Sequence, residues 1–136
     1  MNFKSLTIAV DFDGTLVENQ YPKMGKPVLF AFETLKQLQD EGHRLILWTY
    51  RHGSELDEAV AFCKQKGITF YAVNKSFPEE EFDETQSRKI LADIYIDDRN
   101  IGGLKEWGEI YQLLVKQKGG LKKKSSKKGF LSFLKK

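Results

Sequence analysis

Two aspartates one residue apart, Asp11 and Asp13, close an apolar run in the stretch IAVDFDGTL. A second acidic pair, Asp97 and Asp98, closes another apolar run in ADIYIDDRN, and Thr49 and Arg51 end a third in LILWTYR. Like charges this close repel unless a cation or a proton comes between them. Residues 11 and 13 have the same parity, so a continuing strand would point both side chains to one side. Carboxylates in this pattern suit Mg²⁺, which keeps several waters and takes one or two carboxylates together with substrate phosphate. Gly14 lets the backbone turn tightly beside whatever binds there. Arg51 is placed to clamp a phosphate or a carboxylate, or to lie solvated in its loop.

Simpler readings leave residues unexplained. Asp13-Gly14 can form a type I′ hairpin turn with TLVEN returning as a strand, but Thr49 and Asp97-Asp98 then have no role. An EF-hand fails on spacing, because aligning Gly14 with the loop glycine puts Ala9 at the first ligand position. Asp97-Asp98 alone would serve as a loop or helix cap, and gains meaning only by sharing a site with Asp11. His43, His52 and Cys63 do not make a zinc set.

The elements that must position these groups follow from the apolar pattern. Leu6–Val10, Arg44–Thr49, Ile68–Val73 and Ala92–Ile96 read as four short buried strands. Pro27 opens a first helix with Leu29, Phe30, Phe32, Leu35 and Leu38 on one broad face, and Gly42 follows its end. Ser54 caps a second helix with Leu56, Val60 and Cys63 inward, stopped by Gly67; a short helical piece precedes the fourth strand, and Trp107–Val115 forms the last helix. Alternating strands and helices predict an α/β fold: a three-layer, Rossmann-like core with helices on both faces of a mostly parallel sheet, order 3-2-1-4. Ligands of such sheets bind at the carboxyl ends of the strands. The polar residues collect there: Asp11 and Asp13, Thr49 and Arg51, Asn74 and Lys75, Asp97 and Asp98. His43 falls at the opposite edge, as a structural residue.

Length and charge set the frame. The 136 residues suit one domain over residues 1–117, followed by a tail over 118–136 with Gly119-Gly120 as a hinge. Nine lysines and no acid lie between Lys116 and Lys136, so the net charge of +3 conceals a core carrying a net −6. The tail's lysine run favours disorder in water. Its end, with Phe130, Leu131, Phe133 and Leu134 among lysines, has the makings of a helix on an anionic membrane surface, residues 121–136 serving as the contact; nucleic acid is the weaker alternative. One cysteine allows no internal disulfide, and no run has the ~20 apolar residues of a membrane span. Met1–Lys4 leads straight into the first apolar run, leaving no room for a secretory signal. The expected location is the cytoplasm, with a peripheral membrane contact as an added option.

AVDFDGTL resembles the first signature of the haloacid dehalogenase (HAD) superfamily of phosphohydrolases, LILWTYR its second, and ADIYIDDRN its fourth. The likeness covers roughly residues 5–115 in the family's order. It implies a Mg²⁺-dependent phosphatase acting on a small phosphomonoester, in the manner of a nucleotidase, through an aspartyl-phosphate. Asp11 would be the nucleophile, Asp13 the acid and base, and Thr49 a phosphoryl ligand. Asp11, the backbone carbonyl of Asp13, Asp97 and Asp98 would hold the metal, and Phe12, Gly14, Thr15, Tyr50 and Arg51 would face the substrate. The family's lysine falls on Lys75, which follows the third strand, or on Lys89, which fits the K-x-x-A-D form but needs a helical turn at 89–92 to reach the site. Only residues 17–26 and 76–88 separate the core elements, enough for a flap but not a cap domain. The acidic run Glu79-Glu80-Glu81 disfavours a polyanion. A second reading is a HAD-fold binding or regulatory protein with little turnover, recruited to membrane or nucleic acid by its tail.

Overall fold

The computed structural model describes residues 4–120. Four strands, β1 (Thr7–Val10), β2 (Arg44–Leu47), β3 (Ala72–Val73) and β4 (Ile94–Ile96), form one all-parallel sheet in the order β3-β2-β1-β4. Three helices complete the fold: α1 (Ala31–Asp40), α2 (Gly53–Gln65) and α3 (Trp107–Gly120). Ile8 pairs with Leu45 on one side and Ile94 on the other, and Val10 with Leu47 and Ile96. The register therefore ends β1, β2 and β4 at one level. Among the described residues no helix is long and apolar enough to cross a membrane. The tail expectations for residues 121–136 lie outside the described residues.

The period-2 alternation of the central strands divides the core. Ile8, Val10, Leu45 and Leu47 join one cluster with Leu35 and Leu38 of α1, Ala59 and Cys63 of α2, and Trp107 and Leu114 of α3. Ala9, Ile46 and Ala72 face the other way and pack on Ile90, with Trp48, Tyr71 and Ala92 half-buried around them. The third layer is thus the segment between β3 and β4 rather than a helix. The helical piece expected before β4 does not form. Local side chains hold that backbone instead: Ser87 Oγ accepts from the Lys89 N–H at 3.1 Å, and Ser76 Oγ from the Leu91 N–H at 2.9 Å.

Three boundaries differ from the sequence pattern. The Val28 N–H donates to the Leu16 carbonyl (2.8 Å) and the Glu18 N–H to that of Lys26 (2.7 Å), so Pro27 belongs to a flap hairpin and not to α1. Phe30 then enters the left-handed region at φ 66°, and α1 begins only at Ala31. Leu29 and Phe30 are left 74% and 55% exposed rather than on the buried face. Ser54 does not cap α2; its hydroxyl donates to Glu55, and His52 stands at the cap position. β3 keeps only two residues, because at this sheet edge the Thr69 N–H is taken by the Gln39 side chain at 2.8 Å. His43 is buried at the amino end of the sheet, as expected, where its Nδ1 accepts from the Leu6 N–H at 3.0 Å.

Trp107 opens α3 in the core, and its indole N–H donates to the Thr15 carbonyl at 2.9 Å, tying α3 to the turn after β1. Trp107→Phe should cost about 1–3 kcal/mol by orphaning that buried carbonyl. Trp107→Ala should cost about 3–5 kcal/mol through the cavity added to that loss. Denaturant unfolding of both variants checks the ordering; an unchanged stability in Trp107→Phe would mean the hydrogen bond contributes nothing, and equal losses that the cavity adds nothing.

Candidate active site

β1 stops at Val10, and this decides where the first two aspartates point. The Asp11 N–H donates to the Ile96 carbonyl at 2.9 Å, continuing the β1–β4 pairing by one residue. The chain then turns: the Thr15, Leu16 and Val17 N–H groups all converge on the Phe12 carbonyl at 2.8–3.2 Å, and Phe12 is buried beneath them. Asp11 and Asp13 consequently diverge, contrary to the parity expectation. Asp11 turns toward the end of β4 and Asp13 toward the end of β2.

On the β4 side, carboxylate oxygens of Asp11, Asp97 and Asp98 lie within 4.8 Å of one another. Thr15 is buried between them: its hydroxyl lies 3.0 Å from Asp11 Oδ2 and 3.4 Å from Asp98 Oδ1, and accepts the Asp98 N–H at 3.0 Å. Burial, and then the charge of Asp97, push Asp11 up to about 7, outweighing its hydrogen bonds from the Phe12 backbone and Thr15. Three carboxylate oxygens this close could hold a metal ion between them. Gly14 makes room for them. Its φ is +86°, and a Cβ there would sit 2.2 Å from Asp98 Oδ2.

On the β2 side, Arg51 is 1% exposed and meets Asp13 with both arms, Nε to Oδ2 and Nη2 to Oδ1, each at 2.8 Å. Its remaining hydrogens reach the carbonyls of Lys23 (2.7 Å), Pro22 (3.3 Å) and Glu55 (3.3 Å), so one guanidinium joins Asp13, the flap and α2. Of the roles open to Arg51 in the sequence, the carboxylate clamp is the one realised; it is not solvated. The Asp13 carboxylate is thereby held by Arg51, and the carboxylates that gather on the β4 side are those of Asp11, Asp97 and Asp98. The Thr49 hydroxyl accepts the Arg51 N–H at 3.1 Å, and the Thr49 N–H donates to Asn74 Oδ1 at 2.8 Å.

These groups border a cleft of about 680 Å³, lined by Asp11, Asp13, Asn19, Tyr21, Trp48, Thr49, Tyr50, Asp97 and Arg99. Lys75 and Lys89 do not line it. Both are exposed, and without the helical turn at 89–92 the Lys89 ammonium rests 5.4 Å over the Tyr95 ring. The basic groups at the site are arginines. Asn19, Tyr21, Trp48 and Arg99 are cleft residues that sequence spacing did not single out; the flap is irregular, and only Arg99 had a signal, directly after the acidic pair. Cys63 is buried, its thiol pushed up to about 12 by desolvation, and takes no part.

No family model matches the chain, and no curated protein does. A solved structure does: that of a conserved protein from Bacteroides thetaiotaomicron, 54% identical, with a TM-score of 0.79 over 84% of this chain and 93% of that one.

Two outcomes follow from the geometry. Gly14→Ala should displace Asp98 and weaken Mg²⁺ binding at least about tenfold by titration calorimetry; unchanged affinity would mean Asp98 is not a ligand. Between the ordinary carboxylate range and about 7, the folded chain keeps a proton on Asp11 that the unfolded chain has lost, so this group's contribution to metal-free stability falls as pH rises through that window. In chelator, Asp11→Asn should therefore be stabilised over wild type near pH 8 more than near pH 4. A pH-independent difference would contradict the assignment.

Proposed function

The chain belongs to the same family as that conserved Bacteroides protein, and from this footing we propose that it is a Mg²⁺-dependent, capless HAD-type phosphohydrolase acting on small phosphomonoesters. The single observation that carries the reading is the meeting of Asp11 with Asp97 and Asp98 across the β1–β4 boundary, at the carboxyl end of a parallel sheet. Asp11, Asp97 and Asp98 are the residues that would hold the cation. When bound, it supplies positive charge to a phosphoryl oxygen and to the carboxylates around it.

The chain's own groups take the remaining roles. Asp11 attacks phosphorus and carries the phosphoryl group as an aspartyl-phosphate. Asp13, across the same cleft, handles the protons of the leaving oxygen and of the incoming water. Both of its oxygens accept hydrogen bonds from Arg51, which fixes its direction and suits it to the base step. Thr49 already accepts a backbone hydrogen bond, which leaves its own proton for a phosphoryl oxygen. Arg99 adds a cation at the mouth, in the place the two lysines do not fill. We assign the protein to the reducing cytoplasm on its one buried thiol.

Mg²⁺-dependent release of inorganic phosphate from an aryl phosphate tests this directly. Asp11→Asn should lower the rate at least about a thousandfold. Arg51→Lys, which loses the paired grip on Asp13, should lower kcat about ten- to a hundredfold. A rate that Asp11→Asn leaves unchanged would sink the nucleophile assignment. Tight Mg²⁺ binding without turnover on any phosphomonoester would favour the second reading, a binding or regulatory protein.

A further inference from the structure

Beside the groups assigned to phosphoryl chemistry, the cleft lining carries three aromatic residues, Tyr21, Trp48 and Tyr50. Tyr50 directly follows Thr49 and is 84% exposed. Tyr21 comes over from the flap to meet it edge to face, with ring centroids 5.9 Å apart at 73°, and Trp48 adds a third ring on the same lining. Tyr21 has a structural reason for its place, since its ring lies 5.3 Å from the Arg51 guanidinium that binds the flap carbonyls. Tyr50 has no comparable reason. Its ring meets that of Tyr21, and most of its surface stands in water at the cleft mouth. A large aromatic ring kept exposed beside a reactive centre is a recognition feature, because its π-face gains on contact with another ring and gains little otherwise.

We infer that the physiological substrate is a small phosphomonoester of a planar, ring-bearing alcohol, with the ring stacked on Tyr50 against the Tyr21–Trp48 wall and the phosphate at Asp11. The inference rests on the phosphomonoesterase reading of the acidic groups in the same cleft. Size agrees with it: about 680 Å³ holds a metabolite-sized molecule, within the ~300–1,000 Å³ of small-ligand sites. Charge agrees as well. Asp11, Asp13 and Asp97 line the cleft, and Arg51 is already committed to Asp13, so further substrate anions beyond one phosphate meet repulsion. Asn19 and Arg99 supply the few polar groups that would orient the ring's substituents.

The test is equilibrium binding of two non-hydrolysable probes to the full-length protein with Mg²⁺: benzylphosphonate and cyclohexylmethylphosphonate, alike in size and charge but differing in planarity. Calorimetry should give the benzyl compound about three- to tenfold higher affinity, the range set by one aromatic contact. Tyr50→Ala should erase that preference and Tyr50→Phe should keep it; Tyr50 is exposed, so neither change threatens the fold. Equal affinities in the wild type, no binding of either probe, or a preference that survives Tyr50→Ala would overturn the ring site. A benzyl preference in a protein that releases no phosphate from benzyl phosphate would support the ring site while overturning the hydrolytic reading, so the two failures are distinguishable.

Discussion

Mutual repulsion among carboxylates gathered at one sheet edge is the constraint around which the rest of the structure is arranged. Four of them, Asp11, Asp13, Asp97 and Asp98, sit on the loops after β1 and β4. The chain handles them in two ways. Asp13 is matched inside the protein by a buried guanidinium with ideal two-armed geometry, which is what a buried ion pair requires to offset its desolvation. Of the other three, Asp11 and Asp98 share the Thr15 hydroxyl, and burial with the nearby charge of Asp97 shows in the high proton affinity of Asp11. One carboxylate is matched by an ion pair within the chain, and the other three form a cluster that could hold a metal ion.

That division explains features which otherwise look unrelated. β1 must end at Val10 so that two aspartates of equal parity can face opposite neighbours. The turn after it is pinned from below by the Trp107 indole and from above by the convergence of N–H groups on Phe12. Gly14 has to lack a side chain because Asp98 occupies the space. Arg51 reaches two flap carbonyls as well as Asp13, so the flap that carries Tyr21 is positioned by the same residue that positions the Asp13 carboxylate. The flap and Asp13 are therefore mechanically linked through one side chain.

Much of this was legible in the sequence. Short β-branched and leucine-rich runs separated by helix-length segments specified the parallel sheet and its order, and polar residues at the ends of those runs located Asp11, Thr49, Asp97 and Asp98. What the pattern did not reveal depended on hydrogen bonds between distant segments. Pro27 reads as a helix start, yet pairing of Leu16 with Val28 claims it for the flap. The segment before β4 has helical composition in part, but Ser76, Ser87 and Asp83 capture its backbone donors. With no helix there, Lys89 stays remote, and an arginine whose loop position suggested solvent becomes the most highly bonded side chain of the site. Tyr21, Trp48 and Asn19 carry no spacing signal, because a cleft wall assembled from a flap and a strand end has no period.

The central claim is that acidic groups from the ends of β1 and β4 bind one metal ion together. Crystals grown with Mn²⁺ in place of Mg²⁺ test it most directly, through the anomalous signal of the metal. The account predicts a single peak bonded to a carboxylate oxygen of Asp11 and to at least one of Asp97 and Asp98, with Asp13 still on Arg51. A peak elsewhere, or none at saturating Mn²⁺, would contradict it.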